Sequence, residues 1–128
     1  MDKHVKELHR LFQQEWWTKK RTYGETLECI SNSQICIGIV NDEENLIGFA
    51  RGLTDYVIKA IIFDVIISSK YRNMGLGDKL IRQIKEHSDL LRVKHFELYC
   101  LPEMFAFYNR YGFTEDVGRI KLMRYENK

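Results

Sequence analysis

Apolar residues recur along this chain with two different periods. Near the start, Val5, Leu8, Leu11 and Phe12 return every three or four positions, the spacing that places side chains on one face of a helix. A first helix is predicted over residues 2–16, ended by Trp16 and Trp17. The stretch TKKRTYGET breaks the period. Leu27 and Ile30 then predict a short second helix, closed by a turn at SNS, residues 31–33.

From residue 34 the period shortens. QICIGIV (34–40) has the β-branched content of a strand, NDEEN (41–45) reads as a polar hairpin turn, and LIGFARGL (46–53) is the return strand. TDY (54–56) makes the next corner. VIKAIIFDVIIS (57–68) is almost continuously apolar, which predicts a central strand covered on both faces, with Asp64 as its odd residue. After two glycines, Leu80, Ile81 and Ile84 mark a helix to His87, and VKHFELYC (93–100) alternates like a strand. Pro102 and Glu103 suit a helix start, EMFAFYNRY continues it, Gly112 stops it, and RIKLMRY (119–125) is predicted as a last strand. The order is α-α-β-β-β-α-β-α-β. Tight turns make the early strands antiparallel. The unit 57–68, helix, 93–100 is a crossover and predicts a parallel, right-handed pair. The expected class is therefore α/β, a mixed sheet with flanking helices.

Composition narrows the function classes. A length of 128 residues predicts a single domain spanning 1–128, and a hydrophobic fraction of 45% with 30% charged residues fits an ordinary globule. A net charge of +2, with both signs interspersed, gives no electrostatic footprint for nucleic acid. No apolar stretch reaches the roughly 18–20 residues of a membrane span. The charged opening MDKHVKELHR lacks a signal-peptide core, so a cytoplasmic location is expected. Cys29, Cys36 and Cys100 form no CxxC, and the four histidines show no ligand spacing. Reduced thiols and no metal are expected.

The chemistry concentrates in FDVIISSKYRNMGLGDKLIRQI, residues 63–84. Here a buried strand hands over to a helix through Arg72, Gly75 and Gly77. A helix N-terminus offers unpaired N–H groups and partial positive charge, and glycine lets backbone approach an anion closely. The junction suits a phosphate or pyrophosphate. It lacks both the three-glycine dinucleotide fingerprint and a Gly-Lys-Ser/Thr triphosphate loop. Arg72 either adds charge there or ties the loop down. Asp64 is the second candidate, because an unpaired carboxylate in an apolar strand is expensive. It either has a chemical role or is satisfied by backbone or by Arg51.

YRNMGLGDKLI after a buried strand, followed by AFYNRYGF, resembles the GNAT superfamily of N-acetyltransferases. The resemblance runs from Trp16 to Phe113. It implies a central mixed sheet with antiparallel N-terminal strands and a parallel βαβ unit, and acetyl-coenzyme A as co-substrate. Its pyrophosphate would rest on main-chain N–H groups of Arg72, Asn73, Met74, Gly75, Leu76 and Gly77, and Asp78 is expected among the coenzyme-binding residues as well. The family pattern places the pantetheine arm against Val65, Ile66 and Ile67, in a gap between strands 57–68 and 93–100. Tyr108 matches the family tyrosine near the coenzyme sulfur and is the implied acid for the leaving thiolate. The family often carries an acidic residue where Asp64 stands, which makes Asp64 the implied base or amine anchor. Trp17, Arg21, Arg51 and Asp55 would border the acceptor cleft, and a small-molecule amine is the expected acceptor.

The sequence departs from the family pattern in places. The usual strand before the first helix is missing or very short, a serine stands at position 69 where proline is frequent, and CLPEMFAFY lacks the asparagine that often precedes the tyrosine. Ile61 and Phe63 occupy positions where some members carry a glutamate. A protein or peptide acetyltransferase and a non-catalytic acyl-coenzyme A sensor are the alternatives. The chain is expected to be a monomer or a homodimer, without nucleic-acid or membrane partners.

Overall fold

The long apolar run at 57–68 does form the centre of the sheet. In the computed structural model, which describes residues 2–127, β1 (Ile35–Val40), β2 (Leu46–Thr54), β3 (Lys59–Ile67) and β4 (His95–Leu98) form one sheet in the order β1-β2-β3-β4. The first two pairings are antiparallel, and β3 pairs with β4 in parallel from Lys59↔His95 to Ile62↔Leu98. Among the described residues four α-helices accompany it: α1 (Asp2–Gln13), α2 (Tyr23–Ser31), α3 (Leu76–Lys85) and the short α4 (Phe105–Asn109). The mixed α/β class predicted from the pattern is the observed one.

Two apolar layers hold the sheet. On one face Leu80 and Ile84 of α3 pack with Ile35, Ala50, Ala60 and Ile62, joined by Leu90 and Val93. On the other, Leu8, Leu11 and Phe12 of α1 pack with Phe49 and Ile66. Each such aliphatic or aromatic side chain contributes roughly 1.5–3 kcal/mol when fully buried. Strict alternation would put Ile62 and Ile66 on the same face, yet they join opposite layers. The reason is a bulge. Two steps along β2, Phe49 to Arg51, match three along β3, Phe63 to Ile66. Asp64 lies in that extra length with φ 58, a left-handed conformation that aspartate tolerates better than β-branched residues. Past the bulge, Val65 and Ile67 turn to the α3 layer.

Helix α1 stops at Gln13, short of residue 16, and a series of turns follows. Thr18 is buried there and donates to the Phe12 carbonyl at 2.7 Å, satisfying one of the helix's terminal acceptors. Trp16 and Trp17 lie in this turn region. The predicted last strand at 119–125 is not formed, and the segment pairs with no strand among the described residues. Alternation specifies the two faces of a strand but not a neighbour, and a strand is stable only against one. Among the described residues no helix is long and apolar enough to cross a membrane.

Candidate active site

Among the described residues no strand pairs with β3 on the β4 side beyond Ile62. The segment Phe63–Ile67 therefore keeps one backbone edge free of strand partners, while β2 occupies the other from Phe63 to Ile67. Phe63 meets Tyr99 edge-on, ring centroids 5.8 Å apart, where the two strands part. Val65, Ile66 and Ile67, expected against a pantetheine arm, all lie on this free length.

The free edge leads into the loop at 68–75. A single 3-10 turn, Ser69–Tyr71, is followed by left-handed Asn73 (φ 64) and Gly75 (φ 78), and α3 begins at Leu76. Left-handed residues of this kind gather successive amides into an anion-binding concavity. No side chain caps the N-terminus of α3, so its first N–H groups remain open to another acceptor. Gly77 has a different task. A Cβ there would lie 3.2 Å from Cζ of Phe107, so the glycine lets α4 dock against the first turn of α3. Asp78 accepts from the Tyr111 hydroxyl at 2.5 Å and from Arg82 Nε at 2.8 Å, and these two bonds hold its carboxyl below the ordinary carboxylate range.

Side chains from α1's end secure the loop. Gln14 Nε2 donates to the Ile67 carbonyl at 2.8 Å, and its Oε1 accepts from the Ser69 amide at 3.2 Å. The Arg72 guanidinium pairs with Glu15 and reaches the Ile67 carbonyl. Of the two roles open to Arg72, the structure shows the tether. Neither Gln14 nor Glu15 was singled out by the sequence pattern, and nothing local in it marks them.

Asp64, only 2% exposed at its side chain, is held by two arginines. Arg21 donates from Nη1 to Oδ2 at 2.6 Å and from Nη2 to Oδ1 at 2.9 Å, and Arg51 Nε donates to Oδ2 at 2.6 Å. Arg51 also donates to the Ser33 hydroxyl at 3.2 Å. Each guanidinium lies over a ring, Arg21 over Phe12 and Arg51 over Phe63. Burial works against the charge of Arg21, but the hydrogen bond and field of Asp64 outweigh it and leave the guanidinium pKa above its usual value.

Arg21 also lines a cleft of about 240 Å³ together with Trp16, Trp17, Thr18, Lys20 and Glu25. The local sequence builds this wall. Thr22 and Glu25 form a capping box that starts α2, with Thr22 Oγ1 accepting from the Glu25 amide at 3.0 Å and the Thr22 amide donating to Glu25 at 2.9 Å. Arg21 is thereby fixed just ahead of α2. Trp17 and Arg21 line this wall, and Arg21 connects it through Asp64 to Arg51, neither of which lines the cleft. Asp55 stands apart from this set. Its Oδ1 accepts from the amides of Val57, Ile58 and Lys59 in the β2–β3 turn, and those bonds lower its pKa.

Tyr108 is 8% exposed, in edge-on contact with Phe107 and Phe113. Burial pushes its pKa up to about 12. No buried polar side-chain atom among the described residues lacks a partner, and the Tyr108 hydroxyl makes no hydrogen bond among them, so its oxygen is not sealed from the surroundings. Phe107 connects it to the first turn of α3. Burial also raises the thiols of Cys36 and Cys100, which keeps them protonated and weak as nucleophiles. Among the described residues no group of three His, Cys, Asp or Glu side chains is placed to hold a metal.

The parallel pair parts beyond Ile62, and β3 runs on toward the uncapped helix α3 in a mixed α/β fold. The sequence model of the acetyltransferase (GNAT) family matches residues 3–113, and the chain belongs to that family. Its enzyme class is that of the N-acetyltransferases. A relative from Pyropia yezoensis, described as the uncharacterized N-acetyltransferase ycf52, is 29% identical over 120 residues, covering 91% of this chain and 68% of the relative. The crystal structure of a protein assigned to the GNAT family from Xanthomonas campestris pv. campestris superposes with a TM-score of 0.85 at 28% identity, over 96% of this chain and 85% of that one. An aminoglycoside 6'-N-acetyltransferase complexed with coenzyme A shares the fold, with a TM-score of 0.63 at 16% identity, over 73% of this chain and 53% of that one.

Proposed function

We propose that this protein transfers an acetyl group from acetyl-coenzyme A to the amine of a small molecule. The observation that carries the reading is the free edge of Phe63–Ile67 running directly into the uncapped, left-handed loop before α3. A peptide-like arm would bond the edge as an added strand does, and a diphosphate would take the open amides of residues 72–77. A relative of the same fold is complexed with coenzyme A.

The acceptor amine must be neutral to attack. For an alkylamine with pKa near 10, deprotonation at neutral pH costs about 4 kcal/mol. Asp64 accepts three N–H bonds from Arg21 and Arg51, so we read it as the anchor of the cleft wall and give proton removal to a water. An N–H of the Val65–Ile66 region would meet the developing oxyanion. Tyr108 is fully protonated at neutral pH with a pKa of about 12 and is the proton donor to the departing thiolate, whose conjugate thiol has a pKa near 8.5. The cleft beside Arg21 fits a small amine. Trp16 and Trp17 favour one with an aromatic or a second cationic group.

The test is release of free thiol from acetyl-coenzyme A in the presence of polyamines, arylamines, amino acids and peptides, beside calorimetry of coenzyme binding. Binding with turnover on a small amine supports the reading. Turnover on peptides alone points to a protein acceptor. Tight binding with no turnover points to a sensor, and absence of binding removes the coenzyme assignment.

A further inference from the structure

We propose that the acceptor amine carries a carboxylate on the carbon next to its nitrogen and an aromatic side chain, and that Lys20 and Arg21 select it through the carboxylate. This inference rests on the acetyl-transfer reading above and narrows its acceptor. It comes from the charge and the hydrogen-bonding capacity of the cleft wall.

Positive charge is in surplus there. Asp64 is one carboxylate shared by two guanidinium groups, Arg21 and Arg51, whose side chains are only 26% and 12% exposed. Around the cleft, Glu25 offsets one positive charge and Lys20 restores it. Lys20 has no ion-pair partner among the described residues. A charge withdrawn from water calls for a partner, and an anionic ligand supplies it.

The donors argue for the same ligand. A guanidinium carries more N–H donors than one carboxylate takes. Asp64 accepts one from each Nη of Arg21, and the Nε–H and the second hydrogen on each Nη have no acceptor among the described residues. The Lys20 ammonium and the indole N–H groups of Trp16 and Trp17 can only donate. Acceptors are scarcer. One oxygen of Glu25 takes the Thr22 amide, and the buried Thr18 hydroxyl is turned to the Phe12 carbonyl. A carboxylate matches the arginine fork at two points. A second ammonium, which the indole faces alone would welcome, meets Lys20 and Arg21 and is repelled.

Position sets the rest. Arg21 is locked to Asp64, and Val65 follows in the backbone that would meet the oxyanion. An acid group one carbon from the amine keeps the nitrogen close to that backbone. Trp16 and Trp17, 72% and 41% exposed, offer flat faces to a ring. The amine nitrogen bonds the thioester carbon as the C–S bond breaks, its proton leaves to water, and the thiolate takes a proton from Tyr108. The products are an N-acetyl amino acid and coenzyme A.

Two matched pairs test this, L-tryptophan with tryptamine and L-phenylalanine with phenethylamine, since each pair differs by the carboxylate. Calorimetry on the protein saturated with coenzyme A, and thiol release from acetyl-coenzyme A, should each favour the acid roughly tenfold or more. Lys20→Glu should abolish or reverse that preference and Lys20→Arg should keep it, with coenzyme Kd unchanged in both. Lys20 is exposed, so both variants should retain the wild-type circular dichroism. Coenzyme binding with no preference for the acids, or a preference that survives Lys20→Glu, overturns this inference alone. Absence of coenzyme binding removes the transfer reading and this inference together. If coenzyme binds without turnover, the calorimetric preference still decides.

Discussion

Arg21 and Asp64 face each other as a two-pronged pair, Nη1 to Oδ2 at 2.6 Å and Nη2 to Oδ1 at 2.9 Å, across 43 positions of sequence. The pair ties the turn after α1 to the bulge of β3. It links the wall of the cleft to the backbone that would carry the thioester.

Replacing Asp64 by Asn keeps a residue that tolerates the left-handed backbone but removes the charge that pairs two guanidinium groups. Breaking one partner of a buried ion pair costs about 3 kcal/mol. Urea unfolding of Asp64→Asn should show a loss of that size. The acceptor KM should rise while the coenzyme Kd holds. A loss of stability with unchanged acceptor kinetics would confine Asp64 to a structural role.

Tyr108→Phe should lower kcat by about tenfold or more, with coenzyme affinity within about twofold, because the ring remains and only the hydroxyl is gone. Single-turnover kinetics beside calorimetry check both. A turnover within about threefold of wild type would remove the acid role.

The same tyrosine gives a pH dependence. Its folded pKa of about 12 lies above the unfolded value near 10. Between those values the folded state holds the proton that the unfolded state has lost. Stability is therefore fully present below pH 10 and falls as pH rises toward 12, by about 2–3 kcal/mol in all. Chemical denaturation across that window should show a steeper decline for wild type than for Tyr108→Phe. Parallel declines would mean that the hydroxyl titrates as if in water.

Gly75 adopts φ 78 with nothing within 4 Å of where a Cβ would be, so Gly75→Ala tests backbone conformation alone. It should cost about 1–2 kcal/mol and weaken coenzyme binding by distorting the amide concavity. Gly77→Ala should instead disturb Phe107, and through it Tyr108, so kcat should fall more than binding. Matching effects from the two alanines would contradict this division of labour.

Much of this was legible in the chain itself. The faces of α1 and α3, the central run of β3 and the loop at 72–77 follow from periodicity and from what glycine and a helix start do locally. The capping box at Thr22 and Glu25 was not picked out from the sequence, although its Thr-x-x-Glu spacing is local, and it explains why α2 begins so soon after Arg21. The bulge was not, since a run that is apolar throughout looks the same whether or not its faces change sides. The predicted strand at 119–125 shows the converse, a pattern that states its period without a neighbour to satisfy it.

The amino-acid order alone determined the periods, the turns and the anion-suited junction, because these depend on residues within a few positions of each other. Only the tertiary structure decided that Gln14 and Glu15 brace the loop, that Arg21 and Arg51 claim Asp64, that Asp55 caps its own turn away from the cleft, and that β3 outlasts its pairing with β4. Three of these are pairings or partings between segments remote in the chain, and Asp55's bonds depend on how a turn closes. Side-chain type permits many such partners, and packing selects one.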